Sequence, residues 1–441
     1  MTLPPVTLPP VTLPIPEAFR PPLAAARAAA GDGEIGVAVS GGSDSLALLL
    51  LLREAGARVA ALTVDHGLRP ESAAEARTVA GLCAARGIPH EVRTWERPGA
   101  TGNLQDRARE ARRELIAAWA KRRSIAAVAL GHTLDDQAET FLLRLARGSG
   151  VDGLSAMRPV SEALGLRWLR PLLDIRRGAL RDWLAETGVT WAEDPSNADL
   201  RFDRVRARLA LPALAGLGLG AERLATTARA MARARAALER ATADLARLCL
   251  ADGGAGDLLL DPLPFADAAE ELRLRLLAGA LGWVSGARYR PRLVRLEAAL
   301  AAIDAGRVGH GLTLHGCVLR ARAGRVAIRR ELARMADAVP LAAGRWDARW
   351  QLEGTPPDGP GLTIGALGAG GLARLSSHRA GPAREALAAT PAVWRGGELM
   401  AAPLAEAAPR PGLRITFRRV SAVPPPWGSD RALNPPDQPL C

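Results

Sequence analysis

Two hydrophobic rhythms alternate along the chain from about Gly33 to about Leu145. Gly36-Val37-Ala38-Val39 is a short apolar run of the kind found in a strand buried on both faces. Leu46 to Ala55 reads as an apolar helix. Val59 to Val64 predicts a second strand and Glu71 to Arg86 a second helix. Glu91 to Thr94, after Pro89, predicts a third strand. Leu104 to Arg122 reads as a long helix with Asn103 as its N-cap. Ala126 to Leu130 predicts a fourth strand, and Leu134 to Leu145 a helix that stops at Gly148. Such alternation implies a parallel sheet with helices on both faces. Ligands of these sheets sit beyond the carboxyl ends of the strands. Three polar clusters fall there: Ser40 to Ser45, Asp65-His66, and His132 onward.

The pattern changes further on. Val151 to about Leu200 is mixed and contains Trp168, Trp183 and Trp191. Asp203 to about Arg240 reads as helical and arginine-rich, and helices are expected to continue to Asp304. Leu312 to Arg329 reads as a hairpin turning at Ala323-Gly324. Val339 to Gly361 suggests a linker or loops, and Leu362 to Arg419 a small β-rich piece. The N-terminal repeat TLPPV-TLPPV-TLPIP and the tail from Pro424 are Pro-rich and predict disorder.

Composition changes the picture in two ways. With 441 residues, 48% of them apolar, the chain is long enough for two or three domains with real cores. Its formal charge of +12 favours a polyanionic partner, since arginine displaces counterions from phosphates; solubility alone is the bland alternative. The cysteines, Cys83, Cys249, Cys317 and Cys441, are scattered without a C-x-x-C pair, which argues against a zinc ribbon or a disulfide framework and fits a reduced cytoplasmic setting. The longest aliphatic run, Leu46 to Leu52, is far too short to span a bilayer.

Ser40-Gly41-Gly42-Ser43-Asp44-Ser45 follows a strand and opens a helix. Gly41 and Gly42 let the backbone turn tightly and approach a phosphate. The amides that follow form an anion-binding nest at the helix N-terminus, and Ser40, Ser43 and Ser45 add hydroxyl donors. A carboxylate repels phosphate, so Asp44 makes sense as a ligand of Mg²⁺ bridging to phosphate oxygens. There is neither a G-K-[ST] ending nor a G-x-G-x-x-G series, which disfavours Walker-type and Rossmann sites.

This loop resembles the PP-loop of the ATP pyrophosphatases, which release pyrophosphate and transfer AMP to an oxygen. The series VDHGLR (64–69), GHTLDDQAET (131–140), RGSGVDGL (147–154), RPLL (170–173) and EDPSN (193–197) resembles, in order and spacing, the tRNA(Ile)-lysidine synthetase family from about Ile35 to about Arg208. The resemblance implies an α/β PP-loop ATP-binding catalytic domain at 31–205, after a disordered extension at 1–30. A mostly helical tRNA- and substrate-binding domain at 206–335, a small C-terminal β-rich domain at 336–423 and a disordered tail at 424–441 would follow. It also implies a reaction in which ATP adenylates O2 of the wobble cytidine in the CAU anticodon of tRNA-Ile. Free L-lysine then displaces AMP at C2. ATP and Mg²⁺ are the implied cofactors.

By this resemblance Asp136 contacts the lysine amine, with a role as base open to it, and His132 acts near the nucleotide or the adenylated base. If the helix starts near His132, Glu139 shares that side. Asp135 is equally readable as a partner of the helix dipole. Arg109 and Arg112 are phosphate or substrate-carboxylate candidates, against a plain solvated face, and Arg147, just before the glycine loop, is a candidate for a phosphate or substrate contact. Arg113 stands where the family commonly has Tyr. Asp194 and Asn197 suit either the site or a turn with a helix cap. Arg204, Arg206 and Arg208 are expected at tRNA phosphates, or else on a solvated amphipathic helix.

Other readings stay open. One is another PP-loop ATP pyrophosphatase acting on tRNA or a small molecule; another is a non-catalytic ATP-binding module. Thiocytidine-forming relatives need cysteine pairs that this sequence lacks. Oligomeric state is open, a homodimer included.

Overall fold

The computed structural model describes residues 14–65, 67, 72–95, 104–193, 199–287, 289–353, 361–406, 415–420 and 425–427. Two compact units divide between residues 235 and 236. The first contains α1 (Arg20–Ala30), β1 (Ile35–Ala38), α2 (Ser43–Glu54), β2 (Val59–Asp65), α3 (Ser72–Ala85), β3 (His90–Thr94), α4 (Leu104–Arg122), β4 (Ala127–Leu130) and α5 (Leu134–Leu145). The short α6 (Val151–Leu154), β5 (Val160–Ala163), β6 (Leu166–Leu169), α7 (Arg177–Glu186) and α8 (Asp203–Gly216) follow. Then comes α9 (Ala221–Cys249), within which the division falls.

The alternating rhythm becomes a six-stranded sheet in the order β3-β2-β1-β4-β6-β5. All its pairs are parallel except β5 with β6. β1 is central because every one of its residues is buried. Successive residues face opposite sides, so β1 feeds two cores. Ile35 and Val37 pack with α1, α2 and α7 residues such as Leu23, Leu48 and Leu180. Ala38, with Leu62 of β2, packs with Ile116 and Trp119 of α4. Gly36 completes that second face: a Cβ there would stand 2.7 Å from Trp119 Cζ3. The strand order reverses between β1 and β4, and the loops after those two strands form the crevice where ligands of such sheets bind.

Two sequence expectations change here. Within the stretch expected to be a disordered extension, Arg20–Ala30 is helical. Its prolines occupy the first helical positions, where no hydrogen bond is lost, and Leu23, Ala26 and Ala30 are buried. The mixed stretch after Val151 supplies β5, β6 and α7.

After α9 come β7 (Leu250–Asp252) and β8 (Leu258–Leu260), then α10 (Pro262–Ala266), α11 (Glu270–Ser285), α12 (Leu293–Asp304), β9 (Leu312–Leu314), β10 (Cys317–Arg322) and β11 (Arg325–Arg330). The expected helical stretch is present as α8, α9, α11 and α12, and the second unit adds short antiparallel strands to its helices. These strands form an antiparallel sheet, β7-β8-β11-β10-β9, against which α11 and α12 pack. The β10–β11 turn falls at Ala323-Gly324 as the sequence predicts, with φ of 46° and 76°, the positive values a tight hairpin turn needs. Of the stretch read as a linker or loops from Val339 to Gly361, the described residues carry β12 (Val339–Pro340), β13 (Arg345–Trp346) and β14 (Trp350–Glu353). β15 (Leu362–Ala366), α13 (Gly368–Ala373), α14 (Arg384–Ala388), β16 (Pro391–Arg395), β17 (Glu398–Ala401) and β18 (Thr416–Arg419) complete it as the β-rich piece. In the Pro-rich tail, Trp427 is buried edge-on against Trp283 of α11, ring centroids 5.2 Å apart.

Cys83, Cys249 and Cys317 are free thiols, all buried, and burial pushes them up to about 11, 12 and 12 respectively. No helix among the described residues is long and apolar enough to cross a membrane.

Candidate active site

The loop after β1 is built from its own hydroxyls. Ser45 Oγ donates to Gly42 O (3.0 Å) and accepts from Ser40 N (3.1 Å), which curls the loop onto the first turn of α2. Gly41 has φ +88°, a value that favours glycine. Ala192 N donates to Gly41 O (3.0 Å), tying the loop to the segment after α7. Gly42 is the N-cap of α2 and no side chain caps it, so the amide end of the helix faces the loop as an anion site. Ser43 Oγ donates to Asp44 Oδ1 (3.0 Å), fixing that carboxylate in the first turn.

The loop after β4 arrives at the same place. A Cβ on Gly131 would stand 2.9 Å from the carbonyl carbon and oxygen of Asp44 and the amide nitrogen of Ser45. Only glycine lets the two backbones meet so closely. Thr133 then caps α5 in a reciprocal box. Asp136 Oδ2 accepts from Thr133 N (2.8 Å) and Thr133 Oγ1 (2.9 Å), so the Asp136 side chain is fixed before any ligand arrives.

One arginine joins the two loops. Arg177, at the start of α7, donates through Nε to Asp44 Oδ2 (2.8 Å) and through Nη2 to Asp136 Oδ1 (3.2 Å). Its Nη1 lies 3.7 Å from Glu139 Oε1. Asp135 accepts from the backbone N–H of Arg177 (2.8 Å) and pairs with Arg176 (3.0 Å), so it caps α7. From α8, Arg204 reaches Glu139 (3.0 Å) and Asp136 (3.5 Å), while Arg208 reaches Glu139 (2.7 Å). Glu139 itself is fully buried.

Electrostatics separate the two aspartates. Burial holds the Asp44 carboxyl above the usual carboxylate range, although the Arg177 charge and hydrogen bond pull it down. For Asp136 burial also acts upward, but Arg204, Arg177, the Thr133 amide and His132 outweigh it, and its carboxyl lies below the usual range. The Arg177 guanidinium is held still more firmly protonated by Asp136 and Asp44, against the effect of its own burial. Asp136 is therefore held as a carboxylate and is a poor proton acceptor.

A family profile described as a PP-loop domain matches residues 17–214. The tRNA(Ile)-lysidine synthase of Ruegeria pomeroyi is 46% identical over 381 residues, 84% of this chain and 88% of that protein. The chain belongs to the tRNA(Ile)-lysidine synthase family. Synthases of Methylobacterium nodulans (45% identical, 61% of this chain and 80% of that one) and Mesorhizobium japonicum (38%, 84% and 84%) are similar as well.

In this member of the tRNA(Ile)-lysidine synthase family, Ser40–Ser45, His132, Asp135, Asp136 and Glu139 lie on the two facing loops and the helix starts they open. Arg204 and Arg208, read from the sequence as tRNA contacts, turn toward Glu139. Arg206 and Arg147 instead share Asp203, and both side chains are 59% exposed. Arg112 is half-buried on α4. Arg113, where the family commonly carries Tyr, stacks over Trp168 at 5.5 Å. Asp65 accepts from Gly67 N (2.8 Å) and Ser72 Oγ (2.7 Å). His66, Asn103, Asp194, Asn197 and the side chain of Arg109 lie outside the described residues.

Arg176 and Arg177 escaped the sequence reading. Their signal was present: two arginines open a helix whose first turn has no acid, against the helix dipole. Such a violation calls for acids from elsewhere in the chain.

Proposed function

We propose that this chain modifies the wobble cytidine of a tRNA-Ile carrying a CAU anticodon, joining L-lysine to C2 and changing the codon read from AUG to AUA. Cytidine O2 attacks the α-phosphorus of ATP and pyrophosphate leaves. The lysine Nζ then attacks C2, and AMP departs with O2. Cytosine O2 is a poor leaving group, and the adenylate makes it a good one. Membership of the tRNA(Ile)-lysidine synthase family supports this reading. The observation that carries it is the meeting of the Ser40–Ser45 loop and the α5 aspartate, spanned by Arg177.

The amides of the Ser40–Ser45 loop bind the phosphates. Asp44 fits a magnesium ion: it is a half-buried carboxylate, a hard oxygen ligand, in the first turn of the phosphate-binding loop. Bound there, magnesium would neutralise phosphate charge, with its other oxygens drawn from phosphate and water. Asp136 stays ionised and orients the lysine ammonium. His132, at the mouth of the same loop, takes the amine proton, since the neutral amine is the nucleophile. Asp135 and Glu139 hold Arg176, Arg177, Arg204 and Arg208 in place. Arg112 contacts the substrate. Arg147 and Arg206, the more exposed cations, meet tRNA phosphates together with part of the chain's excess positive charge. The setting is the cytoplasm.

The test combines the protein with Mg·ATP, labelled lysine and a CAU-anticodon transcript. Label entering RNA, with AMP and pyrophosphate released, is expected; ATP binding without turnover would leave only a nucleotide-binding module. Asp136→Asn is expected to slow lysine transfer at least tenfold more than adenylation, followed as pyrophosphate release. Equal slowing of both steps removes Asp136 from the lysine site.

A further inference from the structure

Arg177 occupies two carboxylates that the proposed reaction needs for two different ligands. Nε is on Asp44 and Nη2 on Asp136, so one rigid, planar guanidinium bridges the nucleotide loop and the lysine-binding aspartate. Around it acids and arginines interleave: Asp44, Asp135, Asp136 and Glu139 face Arg176, Arg177, Arg204 and Arg208, and Arg176 also pairs with Glu222. At Asp136, which is 10% exposed and already holds Arg177 and Arg204, a new cation must displace a resident one or bring anions with it. A metal–nucleotide brings phosphate oxygens, which suit a guanidinium as well as a carboxylate does. A lysine ammonium brings none to that end of the molecule.

We infer that Arg177 is a positioning residue that couples the two ligands. Without nucleotide it closes Asp44 and Asp136 together and competes with the ammonium for Asp136. With nucleotide bound, Arg177 transfers to the phosphates and leaves Asp136 open to lysine. Nucleotide is thereby bound before lysine, and the activated cytidine meets an amine already oriented. Coupling of this kind is reciprocal, so lysine tightens nucleotide by the same factor. The inference rests on the assignment of Asp44 to nucleotide and Asp136 to lysine made under Proposed function.

Removal of the side chain leaves the start of α7 capped, because Asp135 bonds the backbone N–H of residue 177. The test measures labelled lysine binding to the full chain by equilibrium dialysis, with and without magnesium and α,β-methylene-ATP. The wild-type chain is expected to bind lysine about 5- to 150-fold more tightly with the nucleotide. Arg177→Gln should bring that factor close to one by strengthening lysine binding to the nucleotide-free protein. Arg177→Lys, which keeps the charge but loses the fork, should fall between, and it carries the same comparison if the Gln variant melts before assay temperature. Both ligands binding with an unchanged factor in the variants overturns the coupling alone, as does a wild-type factor of one. A wild-type chain that binds neither ligand overturns the functional assignment and the coupling together.

Discussion

At the scale of single residues, Gly131 matters for an atom it lacks. A methyl group there would meet the backbone of Asp44 and Ser45 at 2.9 Å, and backbone cannot swing aside as a flexible side chain can. Gly131→Ala is expected to cost roughly 1–3 kcal/mol of stability and to weaken ATP binding, since the loops after β1 and β4 must part. Denaturant melts and nucleotide titration measure both; unchanged nucleotide affinity would uncouple this contact from the site. The residues legible in the sequence were those whose signal is local. Ser40–Ser45 and His132–Asp136 each follow a strand and open a helix, so glycine, hydroxyl and carboxylate appear within a few positions. Arg177 was not legible because its partners are remote: Asp44 is 133 positions away and Asp136 is 41. Arg204 and Arg208 share that difficulty, since nothing nearby in the chain says they turn inward to Glu139.

At the scale of elements, reading succeeded where a rhythm was long and its ends were marked. α5 spans Leu134–Leu145, as its periodicity predicts. It failed around residue 250, where the helical reading ran on through β7 and β8. Those strands are three residues each, separated by a glycine-rich turn, and runs so short carry no period. The capping box offers an elementary test. Thr133→Ala removes the hydroxyl that both caps α5 and holds Asp136. It should lower stability by about 1 kcal/mol in denaturant melts. No loss would mean that Asp136 holds the α5 terminus without the threonine.

At the scale of the whole molecule, the stretch read as helical carries α9, α11 and α12, antiparallel strands follow it, and the second unit has a charged interior of its own. Asp347 binds Arg349 (2.6 Å) and Arg330 (3.0 Å), and the side chains of Asp347 and Arg349 are only 3% and 1% exposed. Apolar patterning does not reveal such a pair, because in a sequence both residues look like surface. Burial raises the Asp347 carboxyl, but Arg330 and Arg349 outweigh it and hold it below the usual range. Its contribution to stability is therefore complete above the usual carboxylate value and is lost as pH falls through the depressed one. Asp347→Asn leaves Arg349 buried without its counter-charge and should destabilise this unit by roughly 3–5 kcal/mol at pH 7. The same substitution should flatten the loss of stability on acidification between neutral pH and about pH 3. Equal acid sensitivity in variant and wild type would place that titration elsewhere.

The three enclosed thiols give each unit a chemical clock. A maleimide reaches Cys83 only when the strand–helix unit opens, and Cys249 or Cys317 only when the other does. With Cys441 replaced by serine, the times at which successive sulfurs acquire label would tell whether the two halves of the chain come apart in one event or in turn.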